Sequence, residues 1–166
     1  MAEWSNWAGN VTATPSRVVS PSDTAATAEL VRESTAAGRK VRPVGAGHSF
    51  TPIAQPVDTQ VRLDAMSGIV SVDEATNRVR VKAGTHLYEL VNLLADRGLA
   101  LANMGDIDRQ TISGAVSTST HGTGLAWTGF GGTVVGGEMV TGTGDVLRWS
   151  EGGENSDLVP ALGVTL

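Results

Sequence analysis

Apolar positions recur at helical spacing in two stretches of the chain. Ala26, Leu30, Val31 and Ala37 fall on one helical face. Ser22 or Asp23 stands ready to cap the first turn, and Gly38 to stop the last. Leu87, Leu90, Val91 and Leu94 repeat the pattern, so a second helix is predicted over 86–97, capped by Thr85 and closed by Gly98. Elsewhere the period is two. Residues 40–44 read as a short strand, and Val61 and Leu63, Val70 and Val72, and Val79 and Val81 alternate with polar residues. Glu74-Ala75-Thr76-Asn77 reads as a hairpin turn. Residues 139–141 and 146–149 predict two more strands joined through Gly142-Thr143-Gly144-Asp145. The opening segment, with Val18 and Val19 between Pro15 and Pro21, reads as irregular. Helices alternate with strands early and hairpins dominate later, which predicts an α+β fold.

Composition narrows the chemistry. The chain has 166 residues, enough to bury a substantial core, and no repeat of 20–50 residues is visible. Twelve basic residues stand against 17 acidic ones, without a basic run, so no nucleic-acid footprint is expected. The absence of cysteine excludes disulfides, iron–sulfur clusters, cysteine nucleophiles and cysteine-built zinc sites, and suits a reducing, cytoplasmic compartment. The start, MAEWSNWAGN, lacks the basic and apolar regions of a signal peptide, and no apolar stretch approaches the ~18 residues of a membrane span. Glycine departs most from the norm: 21 of 166 residues, about 13% against a usual ~7%. Eleven of the 21 lie between Gly105 and Gly144, a stretch that also holds many serines and threonines.

Several motifs fail on inspection. Gly45-Ala46-Gly47 follows a predicted strand, but Phe50 stands where a dinucleotide fingerprint needs glycine, and Pro52 and Pro56 bar the helix that should follow. Gly132 and Gly137 have Walker A spacing, with Glu138 in the lysine position. No Gly-x-Ser-x-Gly elbow is present. His48, His86 and His121 are far apart in sequence, and no metal site is expected of them. His86 reads as a first-turn helix residue and His121 as a buried hydrogen-bonding one. Trp4, Trp7, Trp127 and Trp149 read as packing groups. Asn10-Val11-Thr12 matches a glycosylation sequon, which without a secretory signal carries no weight. Two glycine-rich loops remain, each with one histidine: 45–50, and 113–124. Converging backbone N–H groups in such loops bind anions, phosphate above all, without lysine or arginine. The loops read equally as a clamp on an extended dinucleotide or as turns between strands.

At these loops the sequence resembles a known family. Val44-Gly45-Ala46-Gly47-His48-Ser49-Phe50-Thr51, followed by Ile53-Ala54, is similar to the flavin-attachment segment of the vanillyl-alcohol-oxidase-type (PCMH-type) flavoproteins, in particular their sugar-lactone branch. Asn103-Met104-Gly105-Asp106-Ile107-Asp108-Arg109-Gln110-Thr111-Ile112-Ser113-Gly114-Ala115, with Ser117-Thr118-Ser119-Thr120-His121-Gly122-Thr123-Gly124, is similar to that branch's second flavin loop, and Trp4-Ser5-Asn6-Trp7-Ala8-Gly9 to its start. The resemblance implies a PCMH-type FAD-binding domain of two α+β lobes, roughly 1–68 and 69–166, with FAD extended between them. It implies cofactor contacts at Pro43, Gly45, Ala46, Gly47, His48, Ser49 and Phe50, at Gly105, Asp106, Thr111, Ser113 and Gly114, and at Ser117, Thr118, Gly122 and Thr123. It implies a covalent bond from His48 to the flavin 8α-methyl group, and no catalytic base in this chain. The implied reaction is hydride transfer from an aldono-1,4-lactone of the gulono or arabinono type to flavin, with oxygen or another acceptor taking the electrons. Oxidation of an alditol such as xylitol or sorbitol is the alternative, and a non-catalytic flavin- or nucleotide-binding module is the alternative of another class. The family's substrate domain with its His-Trp-Gly-Lys motif is missing, and 157–166 looks compressed near Ala161, so the chain is expected to be an incomplete piece.

Overall fold

The computed structural model describes residues 3–161. The chain divides into two compact units. One comprises Met1–Met66 and Glu138–Arg148; the other comprises Ser67–Gly137 and Trp149–Leu166. The first therefore includes a late excursion, 138–148, that a single division near residue 68 does not anticipate.

The first unit opens with β1 (Trp4–Ser5) paired antiparallel to β2 (Thr12–Ala13). A three-stranded parallel sheet follows, built from β3 (Arg17–Val19), β4 (Val41–Val44) and β5 (Thr59–Arg62), with β5 in the middle. Val19 and Pro43 both stand opposite Val61, whose buried position fits a central strand. The segment read as irregular thus contains three short strands. Their two or three residues carry too little periodicity to signal a strand, and β3 is set by partners some 40 positions away.

Helix α1 (Thr24–Ala36) lies between β3 and β4. Asp23 is its N-cap: the carboxylate accepts from the Ala26 N–H at 2.8 Å, satisfying one of the donors a helix start leaves open. The buried face is Ala28, Leu30, Val31 and Ser34; Ala37 is exposed. The turn at 142–145 belongs to this unit because α1 holds it. Arg32 Nη1 donates to the Gly144 carbonyl at 2.7 Å and Thr35 Oγ1 to that of Gly142 at 3.2 Å. Gly144 is required here on two counts. Its φ is +84°, and a Cβ would collide with Arg32 Cγ and lie 2.8 Å from the Ala28 carbonyl oxygen.

The second unit begins with the antiparallel pair β6 (Ile69–Asp73) and β7 (Arg78–Val81). Asn77, at φ +54°, turns the chain between them. Helix α2 (Leu87–Ala95) follows, then α3 (Ile112–Ser117). Strands β8 (Gly136–Val140) and β9 (Val146–Ser150) pair with each other; residues 138–148 of this hairpin belong to the first unit and only its two ends, 136–137 and 149–150, to the second. The core joins Leu87, Leu90 and Leu94 of α2 to Ala115 and Val116 of α3 and to Phe130. Val91, predicted on the buried face of α2, is exposed. The N-cap of α2 is His86 rather than Thr85. Thr85 is fully buried, and its hydroxyl is taken by β-hairpin groups: it donates to the Lys82 carbonyl at 2.7 Å and accepts from the Gly68 N–H at 3.0 Å.

Ser113-Gly114-Ala115 is helix, not turn. Thr111 caps it, accepting from the Gly114 N–H at 3.3 Å, and Ile112, Ala115 and Val116 supply its apolar stripe. The predicted compression at 157–166 falls on a single 3-10 segment, Ser156–Ala161, and then lies outside the described residues. Among the described residues no helix is long and apolar enough to cross a membrane.

Candidate functional site

The two glycine-rich loops lie in different units. In the first unit, β4 delivers the chain into Gly45-Ala46-Gly47-His48-Ser49-Phe50. Pro43 and Phe50 are exposed, and Ala46, Gly47, His48 and Ser49 are half-buried. The N-terminal segment holds this loop. Trp7 N–H donates to the Gly47 carbonyl at 2.8 Å. The side chain of Asn6, only 4% exposed, donates to the Ser49 carbonyl at 3.0 Å and to Asn10 Oδ1 at 2.7 Å, and accepts from the Val11 N–H at 3.1 Å. Asn10 Nδ2 then donates to the Phe50 carbonyl at 3.0 Å. Three carbonyls of the loop, those of Gly47, Ser49 and Phe50, are thereby held by the Trp7 main chain and by the Asn6 and Asn10 side chains. Trp7 is also stacked on the His48 ring, with centroids 5.3 Å apart and planes at 20°, and meets Phe50 edge-on. It is 64% exposed, so it is a platform beside the loop rather than a core group.

In the second unit the chain from Asp108 to Ser113 is zipped to Ala83–Tyr88 by backbone bonds: Tyr88 N–H to Asp108 O, Leu87 N–H to Gln110 O, Ile112 N–H to Thr85 O and Ser113 N–H to Ala83 O, at 2.8–3.2 Å. His86 adds a contact from Nδ1 to the Arg109 carbonyl at 2.8 Å, so it braces this loop as well as opening α2. Gln110 Nε2 donates to Thr120 Oγ1 at 2.9 Å, and Phe130 N–H to the Thr120 carbonyl at 2.9 Å. Gly105 lies against Thr120 and His121, where an added Cβ would be 3.2 Å from the His121 carbonyl oxygen. At Gly122 an added Cβ would collide with the Met104 carbonyl and the Asn103 side chain, so only glycine lets these strands of the loop meet.

The predicted contacts of this unit therefore share one braced substructure, although Asp106 and Thr123 are exposed on it. Several of its hydroxyls are already engaged. Ser117 Oγ donates to the Ser113 carbonyl at 2.7 Å and Thr118 Oγ1 to that of Gly114 at 2.8 Å, while Thr111 is buried as the α3 cap. The oxygens of Ser117 and Thr118 retain lone pairs, but their protons are spent within the helix. Gly114 packs its open side toward Thr111 Oγ1, 3.1 Å from where a Cβ would sit.

A cleft of about 450 Å³ opens on this unit, lined by Ser119, His121, Gly122, Thr123, Gly124, Leu125, Trp127, Gly129, Gly131 and Gly132. His121 is exposed at its wall, with Nδ1 2.9 Å from the Gly122 carbonyl, and Trp127 is exposed as well; neither is the buried group expected of it. Beside the cleft, Asn103 Nδ2 is buried without a hydrogen-bond partner. A buried donor left unpaired is costly and calls for an acceptor. Glycine walls that an added Cβ would fill, an orphan amide donor and a lining without carboxylates fit an oxygen-rich, anionic group. Among the described residues no cluster of histidine and carboxylates could hold a metal ion. Sequence reasoning missed Asn6, Asn10, Asn103 and Ser119. Asn6 sits between two tryptophans in a motif quoted for its resemblance, yet no periodicity announces a contact 43 positions away.

Residues 15–150 match the family described as FAD binding domain. The chain is 40% identical over 149 residues to the L-gulono-1,4-lactone dehydrogenase of Mycobacterium tuberculosis, covering 90% of this chain and 35% of that protein. It is 36% identical over 152 residues to the alditol oxidase of a Streptomyces species, covering 89% of this chain and 35% of that one. Among solved structures it shares the fold of the cholesterol oxidase from B. sterolicum, with a TM-score of 0.82 at 20% identity, over 98% of this chain and 34% of that one. The chain thus spans about a third of the length of the curated relatives it matches. With the match running through both glycine-rich loops, the α+β chain belongs to the FAD binding domain family and its cofactor is FAD.

Proposed function

We propose that this chain is the FAD-binding portion of a flavoprotein oxidoreductase that oxidises an aldono-1,4-lactone. The observation that carries the reading is the 40% identity to a lactone dehydrogenase across both loops, joined to a glycine-walled cleft beside the unpartnered Asn103 Nδ2. FAD, when bound, supplies the acceptor for a hydride taken from a substrate C–H, and dioxygen or another acceptor takes the electrons afterwards. This chain's residues bind and orient. The loop at 45–50, with Pro43 beside it, offers backbone amides; Gly105, Asp106, Thr111, Ser113, Gly114, Ser117, Thr118, Gly122 and Thr123 form the second contact set. No residue here is assigned as a substrate base. A portion of the full-length protein beyond this chain is proposed to complete the substrate pocket, and a cytoplasmic location fits the cysteine-free composition. The identity to an alditol oxidase supports a polyol as the second substrate reading.

His48 is proposed as the residue that carries the flavin. Joining an imidazole nitrogen to the 8α-methyl carbon replaces one N–H and one C–H bond with one N–C bond. It releases two electrons and two protons, which dioxygen takes up as hydrogen peroxide. A neutral imidazole is the competent form, because the attacking ring nitrogen must carry a free lone pair. Acid denaturation of the purified full-length protein, then filtration and peptide mass spectrometry, tests this. Flavin should stay on the peptide containing His48, and H48A should release it. Full release of unmodified FAD from occupied wild-type protein removes His48 from the role.

A further inference from the structure

We infer that Trp7 is a positioning residue for His48: its indole ring fixes the imidazole in the orientation that attachment to the flavin requires. This rests on the reading of His48 above. The two rings lie nearly parallel at 5.3 Å, close enough for a stacked pair to restrict rotation of the imidazole. The tryptophan is itself anchored rather than loose. Its main-chain N–H donates to the carbonyl of Gly47, the residue immediately before His48, and the side-chain amide of its neighbour Asn6 donates to the carbonyl of Ser49, the residue immediately after. The platform and the histidine are therefore tied on both sides of the imidazole-bearing position, and Phe50 meets the same indole edge-on. An indole that is 64% exposed contributes little burial, so its placement is not explained by packing of the unit.

Bond formation needs the ring nitrogen aligned with one carbon, so an imidazole free to rotate spends less time in the reactive orientation. A stacked aromatic pair is worth enough to alter that population by a factor of roughly three to ten. The experiment uses the full-length protein made as apoprotein and mixed with FAD under air, with the acid-precipitable flavin followed over time. W7A and W7L should attach flavin roughly three- to tenfold more slowly than wild type, while W7F, which keeps a ring, should recover most of the rate. Non-covalent FAD affinity, read by quenching of flavin fluorescence before attachment, and the thermal midpoint should stay close to wild type in all three, which separates positioning from a structural role. Equal attachment rates for wild type, W7A and W7L overturn the inference, as does a loss in W7L matched by an equal loss of FAD affinity. If wild-type protein itself attaches no flavin, the reading of His48 falls first and the role of Trp7 falls with it.

Discussion

Removing the Asn6 amide should loosen the first glycine-rich loop by an amount that can be worked from its bonds. N6A deletes a donor to Ser49 O, a donor to Asn10 Oδ1 and an acceptor from Val11 N–H. Each net hydrogen bond is worth roughly 0.5–1.5 kcal/mol. Asn10 is exposed, so water replaces that partner at little cost. The two main-chain partners are half-buried and carry the effect, which comes to about 2 kcal/mol. For a chain of this size that lowers the thermal midpoint by roughly 4–8 °C. N6D is the sharper variant. It keeps the acceptor for Val11 but sets a carboxylate against the Ser49 carbonyl and Asn10 Oδ1, so it should be no more stable than N6A. Circular dichroism melts measure both, and hydrogen exchange at the Val11 amide localises the change. If N6D melts with wild type, the donor bonds to the loop carry nothing and the N-terminal segment is not its clamp.

Other outcomes follow from individual positions. G144A adds a left-handed residue and a collision with α1, and should cost about 2 kcal/mol or more in urea unfolding; a wild-type midpoint would show that the turn moves freely off the helix. G114V should abolish FAD binding with circular dichroism retained, and full FAD occupancy would show that α3 never approaches the cofactor closely. The carboxyl pKa values of Asp23, lowered by the Ala26 N–H and the Ser22 hydroxyl, and of Asp73, lowered chiefly by the Thr76 hydroxyl, give the acid limb its sign. Folded values below the unfolded one, near 3.8, mean that stability is complete above that pH and falls as pH drops through the folded values. D23N should flatten part of this loss below about pH 4, where a carboxylate with a lowered folded pKa takes up its proton, and an unchanged slope would count against the cap as its source.

The elements legible in the sequence were those whose apolar positions repeat over several turns. Helix α2 shows this in Leu87, Leu90 and Leu94, and β6 and β7 in their alternating valines. Helix α3 was hidden because Gly114 and two serines mask a six-residue helix, although Thr111 with Ile112, Ala115 and Val116 carries its signature. The parallel sheet was not legible, because β3 has three residues and gains its stability from β5. Loop chemistry was readable as composition: glycine clusters with one histidine each. Its bracing was not, since the contacts of Asn6 with Ser49 and of His86 with Arg109 join residues 43 and 23 positions apart. Trp7 shows the same limit, as a tryptophan's size predicts burial and says nothing of a histidine that the fold brings beneath it.

We propose that FAD in the full-length protein accepts a hydride from a sugar lactone. It is tested most directly by adding L-gulono-1,4-lactone or D-arabinono-1,4-lactone, without oxygen, to the full-length protein loaded with FAD and watching the flavin absorption. Rapid bleaching is expected with a lactone, recovery of the spectrum when an acceptor is admitted, and much slower bleaching with xylitol or sorbitol. A flavin spectrum that no lactone and no alditol reduces, in a protein with full FAD occupancy, contradicts it and leaves the chain a flavin-binding module.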